Sequence, residues 1–390
     1  MSTPPPPNPY GGQPQYGGQP QWGGPQPGGA GEGQFSGPPP WGPPPQQPQW
    51  GGPPPGPPPQ KGGRGKWIIG GVIVLLVVAL AVTVTILVTR DGSDGNSPTP
   101  PGDGQASEFA SANDTGPVNI ITEDPTCEPW LRISQAYADT VNGLGWVDRS
   151  DDIPATRWSP EQKKMYDAVS KAMRDAANKA ENLVEMTPHR VMRELYEQFL
   201  AYTAAFTGRI PNYEPADNKL AVAVDNLSSG LAMLCSAVSF DSASPFAPLL
   251  PEMEPPVDVQ PPASDLSSIE PFLRSYDPAC DGWKDTTSEF VEEARAWRSV
   301  SPGIPSSGWT AEQRTSVESA TPLMSAIADD FQRLGEMSDN RVFEDFAMLS
   351  AQYWRAFVLA VPEYANVDNF LSAAATYIAN VNLVACEANE

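Results

Sequence analysis

The chain has 390 residues, 46 of them proline, so about 12% against a usual share of roughly 5%. Its 24 basic and 47 acidic residues give a formal charge of −23, and beyond Arg90 the balance is 20 against 46. That deficit of positive charge argues against nucleic acid as a partner, and a single histidine, His189, argues against histidine-based metal centres and Ser-His or Cys-His catalysis.

In chain order, residues 1–66 hold 22 Pro, 18 Gly and 10 Gln, with spaced aromatics at Tyr10, Tyr16, Trp22, Phe35, Trp41 and Trp50. Such a segment buries too little apolar surface to offset its ordering entropy, so the sequence predicts a disordered tail with local polyproline II. It serves either as a flexible spacer or as a multivalent ligand with weak repeated contacts. From Trp67 to Thr89 run 23 residues without a charge. As a helix they reach about 34 Å, enough to cross a bilayer. Lys61, Arg64 and Lys66 precede them, whereas Arg90 is followed by Asp91 and Asp94. The positive-inside rule then predicts a type II plasma-membrane signal-anchor, tail in the cytoplasm and C-terminal region outside. Residues 90–126, rich in Gly, Ser, Asp, Pro and Thr, read as a solvated extracytoplasmic linker.

The external region reads as one unit written twice. At an offset of 151, Ile153 to Cys235 aligns without a gap on Ile304 to Cys386, with 22 identities in 83 pairs. Trp158 falls on Trp309, Tyr202 on Tyr353, Phe206 on Phe357 and Tyr213 on Tyr364, while Cys127-x-x-Trp130 pairs with Cys280-x-x-Trp283 at an offset of 153. Self-similarity of this extent indicates duplication.

Each copy reads as four helices with no β alternation, so the fold class is all-α: tandem disulfide-stapled four-helix bundles over 127–239 and 278–390. The second helix opens on Ser159-Pro160-Glu161-Gln162, repeated as Thr310-Ala-Glu-Gln313, a capping box in each case. The third carries Val191, Leu195, Phe199, Tyr202 and Phe206 on one face and takes Thr187 or Ser338 as its cap; the fourth carries Leu220, Val224, Leu227, Leu231 and Leu234. Residues 240–277, with eight prolines, read as an extended linker, packed in part through Leu249, Leu250 and Phe272. In an up-down-up-down bundle the start of the first helix and the end of the fourth share one end. That places Cys127 with Cys235 and Cys280 with Cys386, pairs chemically permitted outside the membrane.

For catalytic, cofactor and metal sites the expectation is none. His189 and the pairs Glu185–Arg190 and Glu336–Arg341 read as helix-end features, and no phosphate loop, nucleophile elbow or zinc spacing occurs. Tyr202, Phe206 and Tyr213 read as core, with an aromatic-lined acyl groove as the alternative. Asn113-Asp-Thr and Asn226-Leu-Ser fit the N-glycosylation pattern. The second helix of the first copy carries Lys163, Lys164, Lys171, Arg174 and Lys179, a lysine-bearing face on an acidic region. It is either a binding face for anionic headgroups or an acidic protein, or a solvated face of i,i+4 pairs.

The Pro4–Pro7 run, the Tyr-Gly-Gly-Gln-Pro-Gln hexads from Tyr10 and Tyr16, and the Lys61–Lys66 cluster before an apolar span resemble proline-rich single-pass membrane proteins of actinobacteria, of mycobacterial type. The likeness covers residues 1–100 and implies a role in the cell envelope. The combined expectation is a non-enzymatic envelope protein whose helical repeats bind or scaffold a protein partner while the tail engages protein partners inside. The alternative is a lipid or glycolipid carrier or transport accessory factor.

Overall fold

The structure, a computed structural model, describes residues 109–389. The tail over 1–66, the span from Trp67 to Thr89 and the linker up to residue 108 lie outside the described residues. Within them the fold is all-helical, without a strand. The first half comprises α1 (Cys127–Gly143), α2 (Pro160–Met186), α3 (Arg190–Arg209) and α4 (Asn218–Ser239). The second comprises α5 (Ala279–Glu293), a one-turn helix at Arg295–Arg298, then α6 (Ala311–Met337), α7 (Arg341–Ala360) and α8 (Asn369–Glu387). Both second helices have 27 residues and start on the expected capping box, Ser159 with Gln162 and Thr310 with Gln313.

The inner helices are α3, α4, α7 and α8, each in contact with two of the others, and the main seam between the halves is α4 on α8. A Cβ on Gly230 would lie 3.3 Å from Ile378 Cγ1, so glycine permits this close approach, and Phe240 stacks on Phe370 at 5.2 Å. Helix α4 is therefore buried beyond the single stripe its periodicity suggests, including Asn226, Ser228, Ser229 and Ser236. Asn226, Ser229 and Ser236 turn their polar groups back onto carbonyls four residues earlier, at 2.7–2.8 Å, which satisfies them inside the seam. Buried Asn226 is thereby no glycan acceptor in this fold. The run Pro215–Ser239 is long and apolar enough to cross a membrane, but most of it is buried here. An apolar helix surrounded by protein needs no other explanation.

Disulfides join Cys127 to Cys235 and Cys280 to Cys386, with Cα–Cα distances of 4.8 and 5.4 Å. Beside each, an aspartate locks the start of the first helix to the turn between the second and third. Asp124 accepts from the Thr126 amide at 2.8 Å and from Thr187 Oγ1 at 2.6 Å. Asp277 accepts from the Ala279 amide at 2.9 Å and from Ser338 Oγ at 2.9 Å. The third helices are capped two residues later than expected: His189 and Asn340 hold the N-cap positions, while Thr187 and Ser338 are buried in these locks.

Two segments expected as linkers belong to the fold. In 90–126, the part from 109 onward packs down, burying Val118, Ile120 and Ile121. In 240–277, Met253 and Leu273 are buried and Phe272 sits against Tyr202 and Phe346 at 6.3 and 5.6 Å. Buried polar side chains of α3 and α7 serve the backbones of these straps: Arg193 donates to Gln260 O at 2.7 Å, Gln352 to Pro251 O at 3.3 Å, and Gln198 accepts from the Phe272 amide at 2.9 Å. Backbone groups without secondary structure need such partners when covered.

Candidate functional site

Each half ends in a frame of four rings. In the first, Trp158 lies 5.3 Å from Tyr213, Trp146 6.0 Å from Phe206, and Phe206 6.4 Å from Tyr213. In the second, Trp309 lies 5.5 Å from Tyr364, Trp297 5.9 Å from Phe357, and Phe357 6.0 Å from Tyr364. The same hydrogen bonds hold both. Trp158 Nε1 donates to Ile153 O at 2.8 Å and Trp309 Nε1 to Ile304 O at 2.9 Å. Tyr213 and Tyr364 hydroxyls donate to Asp151 O and Pro302 O, both at 2.8 Å.

What fills the frames differs. In the first, Tyr166 stacks on Trp158 at 4.0 Å, lies 5.1 Å from both Trp146 and Tyr213, and is fully buried. Arg149 covers the Trp146 ring at 4.0 Å and donates to Asn218 Oδ1 at 3.1 and 2.8 Å. Beneath, Asp225 accepts from Tyr137 at 3.1 Å and from Trp146 Nε1 at 3.2 Å. Burial pushes the Asp225 carboxyl up, against the lowering effects of Arg149 and those two donors. At the offset of 151 the second half has Val317 for Tyr166, Val300 for Arg149, Thr376 for Asp225 and Pro302 for Asp151. A small cavity of about 20 Å³ lies there, lined among others by Trp297, Ser301, Trp309, Val317, Tyr364 and Asn369, and Trp354 packs against Trp297 and Phe357 at 6.0 and 6.1 Å.

A buried charge cluster lies where α3 meets α7. Arg190 pairs bidentately with Asp345 at 2.7 and 3.1 Å and donates to Asp114 O and Gly116 O of the N-terminal strap at 2.9 and 3.0 Å. Arg193 holds both Glu197 oxygens at 3.0 Å. Glu194 is fully buried and neither of its oxygens has a hydrogen-bond partner. Burial, then the Asp345 carboxylate, hold its pKa well above the usual carboxylate range. Arg190 thus bonds across the halves rather than to Glu185, which is exposed at the end of α2. Its counterpart Arg341 pairs with Glu344 at 2.6 Å in a partly exposed position. Among the described residues no group of His, Cys, Asp and Glu side chains is arranged to hold a metal.

The lysine-bearing side of α2 lies opposite its buried stripe. Lys163, Lys164, Lys171, Arg174 and Lys179 are all exposed. Lys171 is paired with Asp175 and Arg174 is bonded to Ser170. Lys179 and Arg132 border a shallow, open depression with Pro129 and Ile133. The face is mixed in charge, with i,i+4 pairing at one of its lysines.

The Asp124 and Asp277 locks and the Arg190–Asp345 pair were not identified from the sequence. The first had a signal, Asp-Pro-x-Cys at both sites with the same offset of 153 as the Cys-x-x-Trp match. The second joins residues 155 apart on different halves and leaves no local trace.

A family model of mycobacterial ESX-1 associated proteins matches residues 109–390. An uncharacterized protein of Mycolicibacterium smegmatis (strain MKD8) is 40% identical over 331 residues, which cover 84% of this chain and 87% of that one. No solved structure matches.

Proposed function

The chain belongs to the family of mycobacterial ESX-1 associated proteins, and from that premise we propose that it is a non-enzymatic, membrane-linked adaptor of an ESX-1 type secretion system. In this reading the span from Trp67 to Thr89 anchors it in the plasma membrane, the Pro-rich tail engages cytoplasmic proteins, and a duplicated helical unit presents a protein-binding surface outside. The lysine-bearing face of α2 is the proposed contact for an acidic partner, an interaction that weakens with salt.

The observation that carries this reading over a lipid carrier is the filled interior. Tyr202, Phe206 and Tyr213, which would line an acyl groove, are core residues no more than 1% exposed. The pocket in the second half, at about 20 Å³, holds about one water. The test is a strain lacking the chain: secretion through the system falls, the full chain restores it, and a chain without residues 109–390 does not. Unchanged secretion, or one tightly held lipid per chain in native mass spectrometry, would overturn the proposal.

A further inference from the structure

Between α4 and α5 the second strap is tied down on either side of an exposed segment. On one side Met253 is buried, Arg355 Nη1 donates to its Sδ at 3.6 Å, and Gln352 donates to Pro251 O. On the other, Arg193 donates to Gln260 O and the Ala263 amide donates to Glu197 at 3.2 Å. Between these ties Val257 is 95% exposed, and the carboxylates of Glu254 and Asp258 are exposed on either side of it. No Lys or Arg occurs from residue 240 to residue 273. A single exposed valine is ordinary on a protein surface. This one belongs to a stretch held by Pro255, Pro256 and buried side chains of two helices, so binding would order it little further.

A surface of the opposite character lies on the first half. The shallow depression bordered by Pro129, Arg132, Ile133 and Lys179 has a volume of about 320 Å³, at the small end of the range for binding pockets. Pro129 and Ile133 are half-buried, and Arg132 and Lys179 are exposed. Asp175, one turn before Lys179, is paired with Lys171, and Arg132 is paired with Glu128 in an exposed position where another carboxylate can replace it. We propose that Val257 of one copy seats in this depression on a second copy of the chain, with Glu254 and Asp258 meeting Arg132 and Lys179. An apolar side chain between two carboxylates matches an apolar patch beside two cations. The contact joins two different patches and is therefore heterologous, each copy offering one segment and one depression. On the adaptor reading the copies share one membrane plane, which raises their effective concentration. That so small a contact suffices rests on that reading, whereas the match of the two surfaces does not.

The experiment uses the full chain in detergent with a benzophenone side chain in place of Val257, mixed with an isotope-labelled full chain that lacks it. Light joins the two chains, and the crosslinked peptide of the labelled copy contains Ile133 or Lys179. Arg132→Glu with Lys179→Glu in the labelled copy lowers the yield about tenfold and leaves the melting temperature unchanged, since both side chains are exposed. Glu254→Lys with Asp258→Lys in the benzophenone-bearing copy then restores the yield, because the charges match again. Added salt lowers the yield of the unaltered pair. Crosslinks that map to other surfaces or stay within one chain, a yield that charge reversal leaves intact, or a reversal that the swap does not restore overturns the contact. A mapped crosslink in a chain whose loss leaves secretion unchanged would retain the contact and remove the adaptor reading. Secretion that depends on the chain, with no mapped crosslink, would remove the contact alone.

Discussion

The two ends of the helical region are assembled from the same rings, the same turns and the same hydrogen bonds, yet one is filled by Tyr166 and the other leaves a cavity of about 20 Å³. In the first half Tyr166, Arg149 and Asp225 fill, cover and brace the frame; in the second half Val317, Val300 and Thr376 stand in those places. The arginines at the start of the third helices diverge in the same manner, Arg190 buried across the seam and Arg341 paired near the surface. The lesson is that shared positions maintain the scaffold, while the positions that differ between the halves carry whatever distinguishes them. The Glu194–Asp345 contact makes this concrete. These residues are equivalent at the offset of 151 and meet across the seam, as an isologous contact would place them. A symmetric arrangement would give Glu194 an arginine from the other half. Arg341 turns to Glu344 instead, so only one of the two reciprocal ion pairs exists.

The comparison can be broken first where the halves should behave alike. The disulfides close loops with separations of 108 and 106 residues, and removing either should cost about 4–5 kcal/mol in the chain-entropy model. Denaturant unfolding of the two single-disulfide chains checks this, and a difference beyond about 2 kcal/mol would show that one half is held together without its staple. Next come the arginine partners, where the halves should differ. Asp345→Ala strands Arg190 in the interior and should cost about 3–5 kcal/mol, whereas Glu344→Ala removes a partly exposed pair and should cost about 0–1 kcal/mol. Similar losses in the two unfolding curves would mean that the buried pair is not distinct.

The smallest effect is a slope. Glu194 has a folded pKa raised above its unfolded value, chiefly by burial, in a cluster with Arg190, Arg193, Asp345, Asp114 and Glu197. Both states are protonated well below an ordinary carboxylate pKa of about 4.3. As pH rises past that value the unfolded chain loses the proton first, so this group's stabilisation is lost until its folded pKa is passed. Glu194→Gln should therefore gain stability relative to wild type as pH is raised from 4 towards 7. A constant difference across that range would show that Glu194 is ionised in the fold.

Much of the scaffold was legible in the sequence. Helical periodicity, the two capping boxes and the aligned cysteines are local or repeat-spaced signals that survive without coordinates. The straps were legible only in part: Phe272 could be picked out in 240–277, but Met253 sits singly among prolines and acids, and Val118, Ile120 and Ile121 form no helical period; what holds them is α3 and α7 side chains far away in sequence. The cavity of the second half was half legible. The exchange of Tyr166 for Val317 is visible in the self-alignment, but only ring positions show that the surrounding frame keeps its spacing. The lysine-bearing face was legible as composition, and the structure adds that it faces solvent, with Lys171 already paired to Asp175.

The measurement that tests the central claim most directly is photo-crosslinking in living cells, with a benzophenone side chain placed at Asp167 on the lysine-bearing face of α2 in one chain and at Glu318, its exposed counterpart on α6, in another. The account predicts a crosslink to a protein partner from Asp167 and none from Glu318. Crosslinks of equal yield from both positions, from Glu318 alone, or from neither would contradict a division of labour between the two halves.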